Sequence, residues 1–384
     1  MIDANQSPTE RPYQICTVTV MDTTDPDIRF DGEGVCNYVG EYRAFEATLP
    51  GAEERQRLLE ERIARIKQQG KGREYDCVLG LSGGVDSSYM AYLAKQFELR
   101  PLVVHFDNGW NSELAVKNIE ELVTRLGFDL QTLVMEWEEF RDLQRSYFLA
   151  SVIDIEVPTD QMILGTVNRL AAKHRIRTVL TGTNHATEWL LPRSWIYRKA
   201  DAVNMRAIHE RFGTVPLKRS PTFGVRDRLL YTYLRGIRSF EILDHVEYGK
   251  AKAKSLLMEK LGWRDYGGKH YESVFTRFYQ GHVLPKKFGV DKRRAHLSNL
   301  ILSGEITREE ALAELEQPTY DPDLQQQDLQ YVSKKLGFTV EEMEEILAQD
   351  PIPHEAYGTD EAQQASLMRW VTRVSKLRNF ALRR

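Results

Sequence analysis

One loop constrains this chain more than any other feature in it: Ser82-Gly83-Gly84-Val85-Asp86-Ser87-Ser88. A short apolar run, residues 75–81, precedes it, and helical spacing over 86–97 follows. Two adjacent glycines let the backbone approach a ligand closely. The start of a helix offers unpaired N–H groups and the positive end of a dipole, which favour a phosphate. Ser82, Ser87 and Ser88 add hydroxyl donors. Asp86 would repel phosphate directly, so it makes sense as a Mg²⁺ ligand beside one. The loop lacks the Gly-Lys-Ser/Thr ending of a Walker A motif and the Gly-x-Gly-x-x-Gly of dinucleotide folds. It predicts a phosphate cradle of another kind.

The surrounding pattern says what carries the loop. Residues 102–106 (LVVHF), 130–135 and 178–181 repeat the strand signal. Helical spacing over 113–126, closed by Gly127, and over 160–174 lies between them. Such alternation predicts an α/β fold, a doubly wound parallel sheet with its ligand at the carboxyl ends of the strands. Residues 1–50 hold turn signals and few apolar patterns, and 52–69 read as a connecting helix. The expected division is an N-terminal module with that helix (1–70), a sheet domain that carries the loop (71–235) and a mainly helical C-terminal region (236–384). In the last, Thr307 with Glu310 and Thr339 with Glu342 have capping-box spacing.

Composition sets the outer bounds. The chain has 384 residues and a net charge of −4, which gives no general field for nucleic acid. Its three cysteines, Cys16, Cys36 and Cys77, are too few for a disulfide framework. No apolar run approaches the ~18–20 residues of a membrane span, and the N-terminus lacks a signal peptide's apolar core. A soluble cytoplasmic protein is expected.

The glycine-rich loop resembles the PP-loop of the ATP pyrophosphatase superfamily, which includes GMP synthetase, NAD synthetase, asparagine synthetase and tRNA thiolases. These enzymes cleave ATP between the α and β phosphates, adenylate an oxygen and displace AMP with a nucleophile. The resemblance implies that Ser82, Gly83, Gly84, Asp86 and Ser87 hold pyrophosphate and its magnesium. Other strings narrow the choice: DTTDP at 22–26 with FD at 30–31 and GVCN at 34–37, HFDNGWNS at 105–112, PTD at 158–160, GTN at 182–184 through Thr187-Glu188, and DYGGKHYES at 265–273. Together they resemble the N-acetyl sugar amidotransferase family of lipopolysaccharide O-antigen biosynthesis, over most of the chain. That family converts an acetamido group on a nucleotide-activated sugar into an acetamidino group. The resemblance implies ATP, Mg²⁺ and a nucleotide-sugar substrate, with a UDP-linked 2,3-diacetamido uronic acid as first candidate. It also implies a separate glutaminase and a cyclase-like subunit that supply ammonia.

Candidate residues follow from both readings. His105 and Asp107 end the second strand, where adenosine commonly sits; the bland alternative is that Asp107-Asn108-Gly109 only makes a turn. Gly182 and Asn184 end the fourth strand. Glu188, four residues on, is a candidate for Mg²⁺ or for the ammonia's proton. Asp160 follows Pro158 at a helix start and is either a substrate contact or an N-cap. Lys286, Lys287 and Lys292 belong to a basic cluster that suits a leaving pyrophosphate. Lys269, His270, Tyr271 and Arg277 are candidates for the sugar or its nucleotide.

The family's two Cys-x-x-Cys pairs are incomplete here. Thr19 stands where the second cysteine would follow Cys16, and Val39 where it would follow Cys36. Two thiolates do not close a structural zinc site, so no zinc is expected. No glutaminase nucleophile is expected either: Ile2 follows Met1, and Cys77 lies inside a strand. Two rival readings stay open. A PP-loop tRNA thiolase would call for reactive cysteines and a basic RNA face. A non-catalytic module would bind ATP without releasing pyrophosphate. Metal analysis of the purified chain is expected to find far less than one zinc per chain.

Overall fold

Alternation within the strands decides how the sheet is covered. Cys77 and Leu79 of β1 (Cys77–Gly80) join one core, and Val78 joins another. The computed structural model describes residues 11–267 and 271–381. Its elements run α1 (Asn37–Glu46), α2 (Ala52–Gln69), β1, α3 (Val85–Gln96), β2 (Pro101–Asp107), α4 (Glu113–Leu126), β3 (Asp129–Val134), α5 (Trp137–Leu149), α6 (Val157–Lys173), β4 (Thr178–Thr181), α7 (His185–Glu188), α8 (Ala202–Phe212) and β5 (Arg238–Glu241). Beyond β5 the described residues are mainly helical.

The five strands pair in the order β3-β2-β1-β4-β5, and every pairing is parallel. Helices α2, α3, α4 and Lys250–Leu261 cover one face, through Leu59, Met90, Leu122 and Leu257 among others. Helix α6 covers the other through Val167, Leu170 and Ala171. This is the doubly wound sheet expected. The chain leaves β1 in one direction along the sheet and returns to β4 on its other side, so a crevice opens between their carboxyl ends. Local signals hold as well: Gly127 ends α4 at φ 64°, and both capping boxes form.

The sheet does not stop at residue 235. Strand β5 lies beyond that boundary and pairs with β4, and Trp263 still packs into the sheet's core. The string RSFE is short, charged at both ends and sits at an edge, so it lacks the apolar run that marks the inner strands. The N-terminal residues are not a separate body either. Cys16, Met21 and Ile28 share a core with Phe278, Leu329 and Ile346. Arg308 donates from Nη2 to the Cys16 carbonyl at 2.9 Å, and Arg294 pairs with the buried Asp22 at 2.9 Å.

His354 marks a buried polar junction in that core. Its ring stacks on Tyr197 at 4.0 Å, Nε2 accepts from the Asp154 N–H at 3.2 Å, and Nδ1 meets Asn204 Oδ1 at 3.0 Å. Both contacts suit the neutral ring with its proton on Nδ1. Burial lowers its pKa from 6.5 to about 4. The unfolded chain therefore binds a proton that the folded chain refuses. Stability is expected to fall by about 3 kcal/mol as pH drops from 6.5 through 4. Urea titrations across that range will measure it, and a His354→Gln variant should show a flatter dependence there.

Candidate active site

The glycine-rich loop leaves β1 and becomes the first turn of α3, with Gly84 as the residue before the helix. Gly83 sits at φ +87°, where a side chain would be strained, and a Cβ there would stand 2.9 Å from the Tyr266 hydroxyl. Its carbonyl accepts from Tyr266 Oη at 2.7 Å, Trp263 Nε1 at 2.8 Å and Ser88 Oγ at 3.3 Å. Ser82 Oγ and Ser87 Oγ lie 3.0 Å apart, and Gly84 N donates to Ser82 Oγ at 3.3 Å. Among the described residues, the N–H groups of Val85, Asp86 and Ser87 find no acceptor. They form the free donor set that a helix start presents to an anion.

Around this loop opens a cavity of about 1490 Å³. Ser82, Gly84, Asp86 and Ser87 line it, as expected of them. So do Gly182 and Glu188 from the end of β4. A Cβ on Gly182 would come within 3.2 Å of Ser87 N, so the β4 turn lies directly on the start of α3. Asp86 accepts from the Tyr248 hydroxyl. Burial, then the charge of Asp86, raises the Tyr248 pKa, with Glu305 and Glu188 adding to it. Asp86 and Glu188 thus bear on one phenol.

Several expected contacts have other work. Ser88 is buried and spends its hydroxyl within the loop. His105 lines the cavity but is held between the Leu81 carbonyl at 3.1 Å and Asn111 at 3.2 Å. Asp107 accepts from Gly109 N at 2.9 Å and closes a turn, while Asn108 and Asn111 line the cavity. Asn184 caps α7 by accepting from Thr187 N at 3.0 Å. Asp160 does not cap a helix: it sits in the first turn of α6 and pairs with Lys199 at 3.0 Å. Lys199 also holds the buried Asp154 at 2.7 Å.

The basic cluster needs the clearest correction. Lys286 pairs with Glu344, and Lys287 donates to the carbonyls of Ile346 and Gln349 at 2.6 and 2.7 Å. Lys292 lies over the Tyr279 ring, 5.4 Å from its centroid. The carbonyls left open at the end of the helix Val340–Ala348 need donors, and Lys287 meets that need. Of the basic stretch only Arg293 lines the cavity among the described residues, and it is paired with Asp291 at 2.7 Å. Lys250 and Lys254 line the cavity from the helix that packs beside α3, and Lys254 pairs with Asp265. Arg277 makes a two-pronged pair with the buried Asp328, at 2.8 Å on each prong. Tyr271 lines the cavity and stacks on Arg277 at 5.0 Å. Lys269 and His270 lie outside the described residues.

The C-terminal region braces the nucleotide side. Ser112 N donates to the Glu272 carbonyl at 2.8 Å, and Val274 N to the Trp110 carbonyl at 2.9 Å. Lys335 Nζ donates to the Gly109 carbonyl and lies 4.6 Å from the Trp110 ring and 5.1 Å from that of Trp137. In the N-terminal module Cys16 Sγ accepts from Cys36 N at 3.2 Å and Thr19 N at 3.3 Å. The Cys36 thiol, then Thr19, lowers the Cys16 pKa against burial. Two half-knuckles thus fold around one sulfur. Among the described residues, no three His, Cys, Asp or Glu side chains converge as a metal-holding set.

The two walls of the cavity match two different family models. Residues 58–191 match that of NAD synthase. Residues 272–374 match that of the C-terminal domain of LPS biosynthesis protein WbpG-like. Neither model covers half of the chain. Among curated relatives, the chain is 42% identical over 71 residues to tRNA(Ile)-lysidine synthase of Chlamydia pneumoniae, a match that covers 17% of this chain and 22% of that protein. Among solved structures, NMN synthetase from Francisella tularensis is 19% identical, over 37% of this chain and 58% of its own, at a TM-score of 0.29. The NH3-dependent NAD synthetase from Campylobacter jejuni is 16% identical, over 54% and 93%, at the same TM-score. Overlays that loose add nothing to what the sheet order shows. No described helix is long and apolar enough to cross a membrane.

A Gly83→Ala variant tests the cradle. The strained φ and the contact with Tyr266 are expected to cost about 1–2 kcal/mol of stability and to weaken ATP binding. Thermal melts with and without ATP will read both effects.

Proposed function

We propose that this chain is an ATP-dependent sugar amidotransferase. It converts an acetamido group on a nucleotide-activated sugar, first a UDP-linked 2,3-diacetamido uronic acid, into an acetamidino group, and releases AMP and pyrophosphate. One observation carries this reading. A single cavity joins the PP-loop to the WbpG-like region through Glu272, Tyr271 and Tyr320, so a nucleotide and a large acceptor share one space.

An amide oxygen is a very poor leaving group, and the cavity suits the remedy. The free N–H groups of α3 and the Ser82 and Ser87 hydroxyls bind the phosphates. Asp86 and Glu188, which line the cavity beside the phosphate cradle, are the oxygen donors that would hold Mg²⁺. When bound, such an ion would neutralise charge on the departing pyrophosphate. Lys250 begins its helix two residues after Tyr248, and its ammonium has no partner among the described residues; it is the cation we assign to the leaving group. The acceptor's amide oxygen attacks the α-phosphorus, pyrophosphate leaves, and ammonia then displaces AMP from the activated carbon. The chain's part is to position and to stabilise charge.

Ammonia comes from a separate glutaminase with a cyclase-like subunit. The three cysteines support that division of labour, because each is buried and none suits a nucleophile open to glutamine. Burial raises the Cys77 thiol pKa further.

The test is pyrophosphate release by the purified chain with ATP, ammonium and a panel of nucleotide-linked acetamido sugars. Release with one of them, at high ammonium and without glutamine, is expected. A Lys250→Met variant should turn over about 10²–10³-fold more slowly. Release without any sugar, or strict dependence on glutamine, would overturn the reading.

A further inference from the structure

Tyr248 lies in the stretch between the two family matches, yet its side chain reaches the PP-loop. Its hydroxyl donates to Asp86 Oδ1, in the first turn of α3. The ring is fixed independently of that bond. It packs on Tyr89 with centroids 5.6 Å apart, and Tyr89 stands on α3 three residues after Asp86. The phenol is thus held against the same helix that carries the carboxylate, and it packs on the core beneath. The backbone is held from the other side. The helix Lys250–Leu261 begins two residues on and runs beside α3, and Lys250 N donates to Glu305 Oε1 at 3.4 Å. Glu305 belongs to the stretch that matches the WbpG-like model. The described residues that line the cavity include Asp86 and Lys250 but not Tyr248.

A phenol has one proton to donate, and Tyr248 gives it to Asp86. A carboxylate at a helix start can rotate about its last bond, while a small divalent ion demands its oxygens in one place. A hydrogen bond to one carboxylate oxygen restricts that rotation, so the group meets a cation already oriented. We propose that Tyr248 is a positioning residue for the Mg²⁺ that accompanies ATP, acting only through Asp86. This inference rests on the reading of Asp86 as a metal donor. The phenol needs no contact of its own with nucleotide or ion, which agrees with its place behind the cavity wall. The segment 248–250 then serves both ends of the pyrophosphate step: Tyr248 orients the carboxylate for the ion, and Lys250 presents its ammonium to the leaving group.

A Tyr248→Phe variant keeps the ring and removes the donor. Calorimetric titration of the full chain with ATP, once with Mg²⁺ and once with EDTA, reads the effect without any turnover. With Mg²⁺ the variant is expected to bind ATP about 10–100-fold more weakly than wild type, and with EDTA to stay within about twofold of it. Placed in an Asp86→Ala background, the same change is expected to add nothing, because no carboxylate is left to orient. Equal weakening with and without Mg²⁺ would make the hydroxyl a direct contact of the nucleotide and overturn the proposal. So would unchanged binding with Mg²⁺, or a loss that persists in Asp86→Ala. If the Phe variant melts early, the titrations are run below its melting onset, with the same outcomes. No sugar enters these titrations, so their result is separate from that of the pyrophosphate-release test. If wild type binds ATP no more tightly with Mg²⁺ than with EDTA, the metal assignment to Asp86 falls, and this inference falls with it.

Discussion

The carbonyl of Gly83 is the point on which the site depends. A glycine at φ +87° turns it away from the cradle, and Tyr266, Trp263 and Ser88 all donate to it. With that oxygen occupied, the next N–H groups are left facing the cavity with no internal acceptor. The hydrogen bonds are ordinary, each worth about 1 kcal/mol net. Their effect is geometric. They hold a strained turn in one conformation, so the anion site exists before any anion arrives.

The same contacts make the second half of the chain part of the first half's site. Trp263 and Tyr266 lie just past the sheet, and residues 272–274 bond to the turn at 110–112. Lys335 clamps the Gly109 carbonyl from a distant helix, with three aromatic rings around its ammonium. At the far end, Arg294 and Arg308 reach the N-terminal residues. The WbpG-like region is thus a wall and a brace, and the cavity has no complete lining without it.

Sequence patterns carried the inner strands, the PP-loop and the helix caps, because each rests on local chemistry: apolar runs, paired glycines, Thr-x-x-Glu spacing. They failed where long-range contacts decide. Helix α5 buries Glu139 and Asp142, which interrupt the apolar spacing of a core helix. Glu139 accepts from the backbone N–H groups of Lys218, Arg219 and Ser220, and Asp142 from those of Thr214 and Val215. The basic cluster misled for a related reason. A lysine capping a helix end and a lysine facing phosphate look alike in one dimension, and only folding showed that Lys287 serves carbonyls. Lys250 gave no signal, standing in a helix of alternating lysines and alanines. Tyr248 lay outside every recognised string, and its bond to Asp86 needs the chain's two halves together.

The distances along the chain have a consequence for its synthesis. Trp263 and Gly83 are 180 residues apart, and Ser298 meets Val20 across 278. A nascent chain that has emerged only through β4 has its glycine turn but lacks the donors that fix it. Contacts of such long sequence separation form late and together. The glycine turn therefore stays without its Trp263 and Tyr266 donors until the last third of the chain has been translated.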